Sequence, residues 1–331
     1  MKTRCTDLGI ALALGLAAFS RCAVAADAPA PAAQLPTAED RALAARVEAV
    51  AQMPENTPGQ EAANSLLRDW PYGLVRVLTS TNPVPEAQLA NARGTIRSLV
   101  ETAEQGPTWP RPPSLRIPYC LWPPKIDGRL SDWSWRHALT LTGTYALNTT
   151  NLITSPQTTF RMMWDKNNLY CAFECEDADI EAPPIERDGQ VYSADCVELF
   201  ILPDFEKRQY WEIIISPTGS LFDALHTKKP RNWGMDSKPE KSMEGLQIGR
   251  RIDGTPNNPA DRDRGYVIEV AVPFKQLPGY TDGKAPTRGQ QLHLLLARFD
   301  RTGKDIVYTY PFPVLSWGHN IWNYAPAELT R

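Results

Sequence analysis

The chain has little that marks a catalytic or a nucleic-acid-binding protein. It contains no GxSxG nucleophile motif and no glycine-rich phosphate loop after a strand, which argues against the hydrolases and nucleotide-binding proteins that carry them. Basic residues do not outnumber acidic ones: the formal net charge is −3. This leaves no electrostatic footprint for nucleic acid or an anionic membrane. The histidines are scattered without the spacing of a metal-binding motif: His137, His226, His293 and His319.

Long hydrophobic runs are also absent, except for one near the N-terminus. Lys2 and Arg4 precede an apolar stretch over residues 8–19, and Ala23-Val24-Ala25 supplies small residues for cleavage. This pattern predicts a signal peptide over residues 1–25 and an exported protein, periplasmic or secreted. Lipid attachment at Cys22 is the minor alternative, because Phe19-Ser20-Arg21 fits a lipoprotein signal poorly. No later segment approaches the roughly 20 apolar residues of a membrane span.

Cysteine is scarce after the predicted cleavage, since only Cys120, Cys171, Cys175 and Cys196 remain. Cys171 and Cys175 share one predicted strand and one face. Positions four apart on a strand lie roughly 13 Å from each other, too far for a disulfide or a shared zinc ion. We expect buried free thiols, with a bond from Cys171 or Cys175 to Cys196 as the one pairing left open.

The first part of the predicted mature chain has a helical pattern. Residues 26–36 form an Ala/Pro tether, and residues 37–105 form the helical region. Thr37 and Asp40 predict a capping pair before a helix that ends near Pro54. Further helices are predicted over 59–69, with a stop near Trp70-Pro71, and over 85–105. No catalytic cluster occurs here, so this region is interpreted as a spacer or scaffold.

A proline-rich linker over residues 106–118 precedes a domain over 119–331 in which strand patterns replace helical ones. Alternation of apolar and polar residues between turn signals predicts a mainly β fold, an antiparallel, jelly-roll-like β-sandwich preceded by the small helical region. The predicted strands cover 115–121, 138–142, 158–164, 169–176, 195–202, 209–216, 220–225, 245–252, 265–272, 291–299 and 306–310.

Three linked motifs within this domain resemble a known family. They are Ile126-Asp127-Gly128 followed by Trp133, the run FRMMWDKNNLYCAFECED over 160–177, and DCVELFILP over 195–203. Their order resembles that of carbohydrate-binding module family 9 and its DOMON-like relatives. The resemblance implies a non-catalytic, sugar-binding sandwich, associated with polysaccharide breakdown by enzymes on other polypeptides.

The resemblance also implies a sugar site. Family 9 modules clamp a sugar between two aromatic residues, and Tyr192 and Trp322 occupy the matching positions. Glu198 matches the glutamate that accepts hydrogen bonds from sugar hydroxyls, and Asn320 would pair with others. By strand parity, Glu198 shares a face with Cys196 and Phe200. Flat aromatics and fixed polar groups are what a sugar requires, which adds Trp211 and Trp317 as candidates.

This sequence departs from the family pattern at the next strand. The sugar-contacting arginine is not evident, and Glu212 stands in the corresponding run, Tyr210-Trp211-Glu212-Ile213. Arg298 is the candidate for a substitute cation from a neighbouring strand. The first clamp residue is tyrosine, and the closing run YAPAELTR lacks the family's usual ending. The resemblance therefore predicts the fold of this chain more firmly than it predicts the ligand.

Three further hypotheses remain open. A glycoside hydrolase would need paired carboxylates such as Asp195, Glu198 and Glu212. A haem b electron-transfer module, known among relatives of this sandwich, would need axial ligands such as Met162 or Met163 with His226 or His319. Structural calcium, carried by some family members, has candidate ligands in Asp177, Asp179 and Glu181.

Overall fold

The computed structural model describes residues 33–52, 71–105, 109–228, 235–238, 241–303, 305–315 and 318–331. The predicted signal peptide and the predicted helix over 59–69 lie outside these residues. Within them, none of the helices combines the length and apolar character needed to span a bilayer.

Helices come first along the described chain and strands dominate the rest. The helices are α1 (Ala38–Ala51), α2 (Pro71–Leu78) and α3 (Glu86–Gln105). The strands are β1 (Ala33–Gln34), β2 (Val84–Pro85), β3 (Leu115–Ile117), β4 (Leu139–Leu141), β5 (Tyr145–Ala146), β6 (Thr158–Trp164), β7 (Asn168–Glu176), β8 (Cys196–Asp204), β9 (Gln209–Ile215), β10 (Leu221–Lys228), β11 (Met235–Lys238), β12 (Gln247–Asp253), β13 (Gly265–Pro273), β14 (Gln291–Thr302), β15 (Asp305–Tyr310) and β16 (Ala325–Leu329).

The helical region has its own buried cluster, to which Leu43, Leu89 and Ile96 contribute. The predicted capping pair is present: Thr37 Oγ1 accepts from Asp40 N and the Asp40 carboxylate accepts from Thr37 N. The predicted stop near Trp70-Pro71 belongs to the helix over 59–69, which lies outside the described residues, and α2 begins at Pro71. Proline suits the first helical position, where its missing N–H has no intrahelical partner.

Two antiparallel sheets make up the β domain, as the sequence predicts. The larger has the order β11-β10-β9-β8-β14-β15-β5, and β16 extends it by pairing with β14 and, in parallel, with β3. The smaller has the order β12-β13-β7-β6-β4. Every predicted strand is present: β6 has the predicted bounds, and the others have one or both ends shifted. Three strands of this domain are not predicted from the sequence, because they are short or contain a proline: β5, β11 and β16, the last with Pro326.

The two faces of the larger sheet have different neighbours. One face packs on the smaller sheet, where Trp211 Nε1 donates to Gln276 O at 2.8 Å and the Arg298 guanidinium lies 5.7 Å from the Tyr266 ring centre. Alternation along β8 and β9 turns Glu198, Phe200, Tyr210 and Glu212 to the opposite face. Rings of residues 319–324 cover that opposite face.

All four described cysteines are free and buried, which confirms the prediction. Cys171 and Cys175 both point into the core between the sheets. Burial raises the pKa of the Cys175 thiol to about 11, so this group is inert as a nucleophile at neutral pH.

The motif Ile126-Asp127-Gly128 attaches the loop before β4 to strand β13. The backbone N–H groups of Asp127 and Gly128 donate to one Glu269 carboxylate oxygen at 2.8 and 2.7 Å. Gly128 has φ of 82°, and a Cβ built on it would lie 2.3 Å from the Arg250 carbonyl carbon. Only glycine meets both constraints, so this motif serves the fold.

We expect Gly128→Ala to destabilise the protein by more than Gly289→Ala. Both glycines have nearly the same φ, 82° and 83°, but a Cβ on Gly289 would meet nothing within 4 Å. Gly289→Ala therefore measures backbone strain alone, about 1–2 kcal/mol, and the excess for Gly128→Ala measures the clash with Arg250. Urea unfolding of both variants gives the comparison, and equal losses would contradict it.

Candidate functional site

Glu198 lies near the centre of the larger sheet, on β8 between Ala297 of β14 and Ile214 of β9. The residue is 4% exposed. Its carboxylate makes no hydrogen bond and no ion pair with any residue that the structure describes. Burying a carboxylate without a hydrogen-bond donor costs free energy of folding. The Glu198 carboxyl group can therefore accept hydrogen bonds from a bound ligand.

Glu212 lies next to Glu198 on the same face and, unlike it, has partners. His226 Nε2 is 2.7 Å from one Glu212 carboxylate oxygen, and His319 Nε2 is 3.5 Å from the other. The two imidazole rings are 5.2 Å apart, centre to centre. The histidines are scattered in the sequence, and no spacing reveals this cluster, because β10 and the segment before β16 meet only in the folded chain.

The two carboxyl groups differ in their electrostatics. Burial, and then the charge of Glu212, raises the pKa of Glu198 well above its usual range. Burial also disfavours the ionised form of Glu212, but the neighbouring His319 and His226 outweigh it and lower that pKa. Glu212 is therefore the more acidic carboxyl of the two.

The two predicted clamp aromatics lie toward opposite ends of β8, since Tyr192 precedes this strand and Trp322 contacts Phe205, which follows it. Tyr192, in a 3-10 turn over Val191–Ser193, is half-buried, and burial followed by the Glu212 charge raises its pKa. Trp322 is half-buried in a second 3-10 turn and packs edge-on against Phe205 at 4.9 Å. The Trp322 indole N–H is buried and makes no hydrogen bond in the structure. No ring contact joins Tyr192 to Trp322 among the described residues, so the two rings border the face separately.

Asn320 is fully buried and shapes the backbone of this segment. Its Oδ1 accepts from Trp322 N at 3.3 Å, and its Nδ2 donates to Leu315 O at 3.4 Å. Asn323 Nδ2 donates to the same carbonyl at 2.7 Å. These bonds fix the turn that carries Trp322. Asn320 was predicted to contact sugar, and the structure gives it this positioning role.

Trp211 and Arg298 do not join Glu198, contrary to the expectation from sequence. Arg298 pairs with Val197 and Trp211 with Ile201, so both lie on the face that meets the smaller sheet. Arg298 is 1% exposed, and its guanidinium contacts Asp177 at 3.0 Å and Asp300 at 2.5 Å. Arg298 is the central cation of a buried charge cluster. It lies on the face opposite to Glu198, so it cannot act as the substitute cation that was expected beside this carboxyl group.

The predicted calcium ligands do not gather at one point. Asp177 bonds to Arg298, Glu181 bonds to Arg301 at 3.0 Å, and the Asp179 backbone N–H donates to Asp177. Asp177 instead lies within 4.8 Å of Asp195 and Asp300. Arg298 already occupies that group, so these residues do not fit a calcium ion.

The residues considered for a haem site are likewise separated. Met162 points into the core between the sheets and Met163 points to the outer side of the smaller sheet. His226 and His319 lie beyond the larger sheet, so these four residues form no pair of axial ligands.

Asp195, considered as a catalytic carboxylate, has a structural role. It accepts backbone hydrogen bonds from Glu181 and Arg301, both at 2.6 Å. Its side chain therefore ties the loop before β8 to β14. Trp317, considered for sugar stacking, lies outside the described residues.

Among the described residues of the β domain, the most exposed tryptophans lie in the loop before β4, away from Glu198 on β8. Trp122 and Trp133 are 62% and 56% exposed and pack edge to face at 5.3 Å. They line a shallow cavity of about 410 Å³ together with Pro123, Asp132 and Ser134. This Trp122–Trp133 patch is a second aromatic surface of the domain.

Comparison with known proteins identifies the family to which the chain belongs. The model of the carbohydrate family 9 binding domain-like family matches residues 126–309, more than half of the chain. The chain belongs to this family. The match covers Glu198, Glu212 and Tyr192 but ends before His319 and Trp322.

Three solved structures of carbohydrate-binding proteins are similar to this chain at low sequence identity. A candidate carbohydrate-binding protein from Bacteroides uniformis has a TM-score of 0.53 at 12% identity, covering 66% of this chain and 99% of that one. A family 9 module from Caldicellulosiruptor kristjanssonii matches as its cellotriose complex, with TM-score 0.46, 17% identity and coverage of 66% and 93%. Its glucose complex matches with TM-score 0.45, 18% identity and coverage of 65% and 96%. No curated protein matches this chain.

We expect Glu198→Gln to stabilise the protein at pH 8 and to change stability little near pH 4. The raised pKa of Glu198 means that its ionisation opposes folding above the unfolded-state pKa of about 4.3. Removing the charge should therefore add about 1–3 kcal/mol to the free energy of unfolding at pH 8.

The matched control is Glu206→Gln, because Glu206 is exposed just beyond β8. Urea unfolding at the two pH values gives all the differences. A loss of stability in Glu198→Gln at pH 8 would show that the carboxylate has a partner in the free protein.

Proposed function

We propose that this protein is an exported, non-catalytic carbohydrate-binding protein whose sugar site is the Glu198 face of the larger sheet. Membership of the carbohydrate family 9 binding domain-like family supports this class of function. The observation that carries the proposal is Glu198 itself, a buried carboxylate for which no described residue is a donor. Sugar hydroxyls are donors of the required kind.

The aromatic residues at the border of this face supply the second part of the proposed site. Tyr192 and Trp322 are both half-buried, so each ring offers part of its surface to a ligand. Stacking against the apolar C–H face of a sugar would bury that surface.

The proposed division of roles follows from these contacts. Glu198 accepts sugar hydroxyls, Tyr192 and Trp322 stack, and Asn320 holds the turn that presents Trp322. Arg298 and Trp211 contribute stability from the other face. Binding without bond cleavage would serve polysaccharide recognition, and any glycan-degrading enzyme would be carried by another polypeptide.

Isothermal titration of the purified chain with cellotriose, xylotriose and mannotriose, with and without calcium, tests the proposal. We expect saturable heat with at least one sugar and at least a tenfold weaker affinity in Trp322→Ala, since loss of a buried aromatic contact costs more than about 1.4 kcal/mol.

Trp133→Ala is the matched control, because Trp133 is an exposed tryptophan in a different patch. It should leave the affinity unchanged. Heat that disappears equally in Trp133→Ala and Trp322→Ala would move the site to the Trp122–Trp133 patch. No heat from the folded protein with any sugar would reject the proposal.

A further inference from the structure

We infer that Glu212, His226 and His319 form a binding site for one divalent transition-metal ion of the zinc type. The three side chains each offer one ligand atom, and these atoms all lie within 4.8 Å of one another. Two imidazole nitrogens and a carboxylate oxygen are the donor set that zinc and its neighbours in the first transition row prefer, whereas calcium and magnesium prefer oxygen alone. The inference does not depend on sugar binding.

The far side of each imidazole ring is held by a hydroxyl group. His226 Nδ1 lies 2.9 Å from Ser237 Oγ, its direct cross-strand neighbour on β11. His319 Nδ1 lies 2.9 Å from Tyr210 Oη. A hydroxyl that accepts from Nδ1–H leaves Nε2 as the basic nitrogen, and both Nε2 atoms point at Glu212. Metal-binding histidines have outer partners of this kind, which fix the tautomer and the ring orientation.

Of the two imidazole contacts with Glu212, only that of His226 is short enough for a good hydrogen bond. At 3.5 Å, His319 Nε2 is too far from the Glu212 carboxylate for a good hydrogen bond. Ligand atoms about 2 Å from a tetrahedral metal lie roughly 3.3 Å from one another. The 2.7 Å contact of His226 is a hydrogen bond, and the metal would replace its proton.

The site would join three parts of the fold. Glu212 is on β9, His226 is on β10, and His319 precedes the 3-10 turn over Ile321–Asn323. A bound ion would hold this turn, and Trp322 with it, against the larger sheet. Three protein ligands leave the fourth position of a tetrahedral ion for water or a ligand oxygen, and His319 is the most exposed of the three, at 16% of its side chain.

The test is metal binding by the purified chain after chelator treatment, with Zn²⁺ and Co²⁺ as probes. We expect one Zn²⁺ per chain after gel filtration and a saturable visible absorption of bound Co²⁺, whose intensity reports low coordination number. Competition with a chromophoric chelator then gives the Zn²⁺ affinity of each variant.

The variants separate ligands from bystanders. Ser237→Ala should weaken Zn²⁺ binding about 10- to 100-fold, as outer partners do, and His319→Ala and Glu212→Gln should weaken it by more. His137→Ala is the matched control, because His137 is exposed beside Trp133 and remote from the cluster. Circular dichroism establishes that each variant is folded.

Three results would overturn the inference: no saturable Zn²⁺ or Co²⁺ in the folded wild type, wild-type affinity in His319→Ala, or an equal loss in His137→Ala. If His319→Ala or Glu212→Gln fails to fold, the wild-type cobalt spectrum and Ser237→Ala still decide it. Sugar titration is a separate measurement, so failure of either idea is seen independently of the other.

Discussion

The register of β8 between β9 and β14 is the constraint on which the rest of the β domain depends. It places Glu198 opposite Ile214 and Ala297, and Val197 opposite Ile215 and Arg298. A shift of one residue would exchange the two faces. Val197, Leu199 and Ile201 are buried between the sheets. Their burial therefore turns the Glu198 and Glu212 side chains to the opposite face of the larger sheet. Packing of the core thus sets the direction of the Glu198 side chain without any ligand.

Ionisable side chains are buried on both faces of the larger sheet, but their partners differ. Between the sheets, Arg298 is bonded to Asp177 and Asp300, so each charge has a partner. On the other face, His226 and His319 accompany Glu212, and no described residue bonds to Glu198. A buried carboxyl group without a protein donor is tolerated because the rest of the fold supplies stability. Such exceptions concentrate where a ligand supplies the missing partner.

Much of this arrangement could be predicted from the sequence, because it depends on neighbours along the chain. Period-two alternation located every main strand, and parity placed Cys196, Glu198 and Phe200 on one face. Contacts between distant segments could not be predicted. Whether Arg298 shares a face with Glu198 depends on cross-strand register, which alternation within one strand does not reveal.

The segment over residues 318–324 is where these constraints meet. It supplies His319 to Glu212, Asn320 to its own turn, and Trp322 to the border of the face. Its approach is close: a Cβ on Gly318 would lie 2.7 Å from the Phe200 ring. Phe200 sits on β8 two residues from Glu198, so the ring that receives the segment is positioned by the same alternation that turns the carboxylate away from the core. The turn and the sheet therefore form one site only when the strand register and the glycine are both in place.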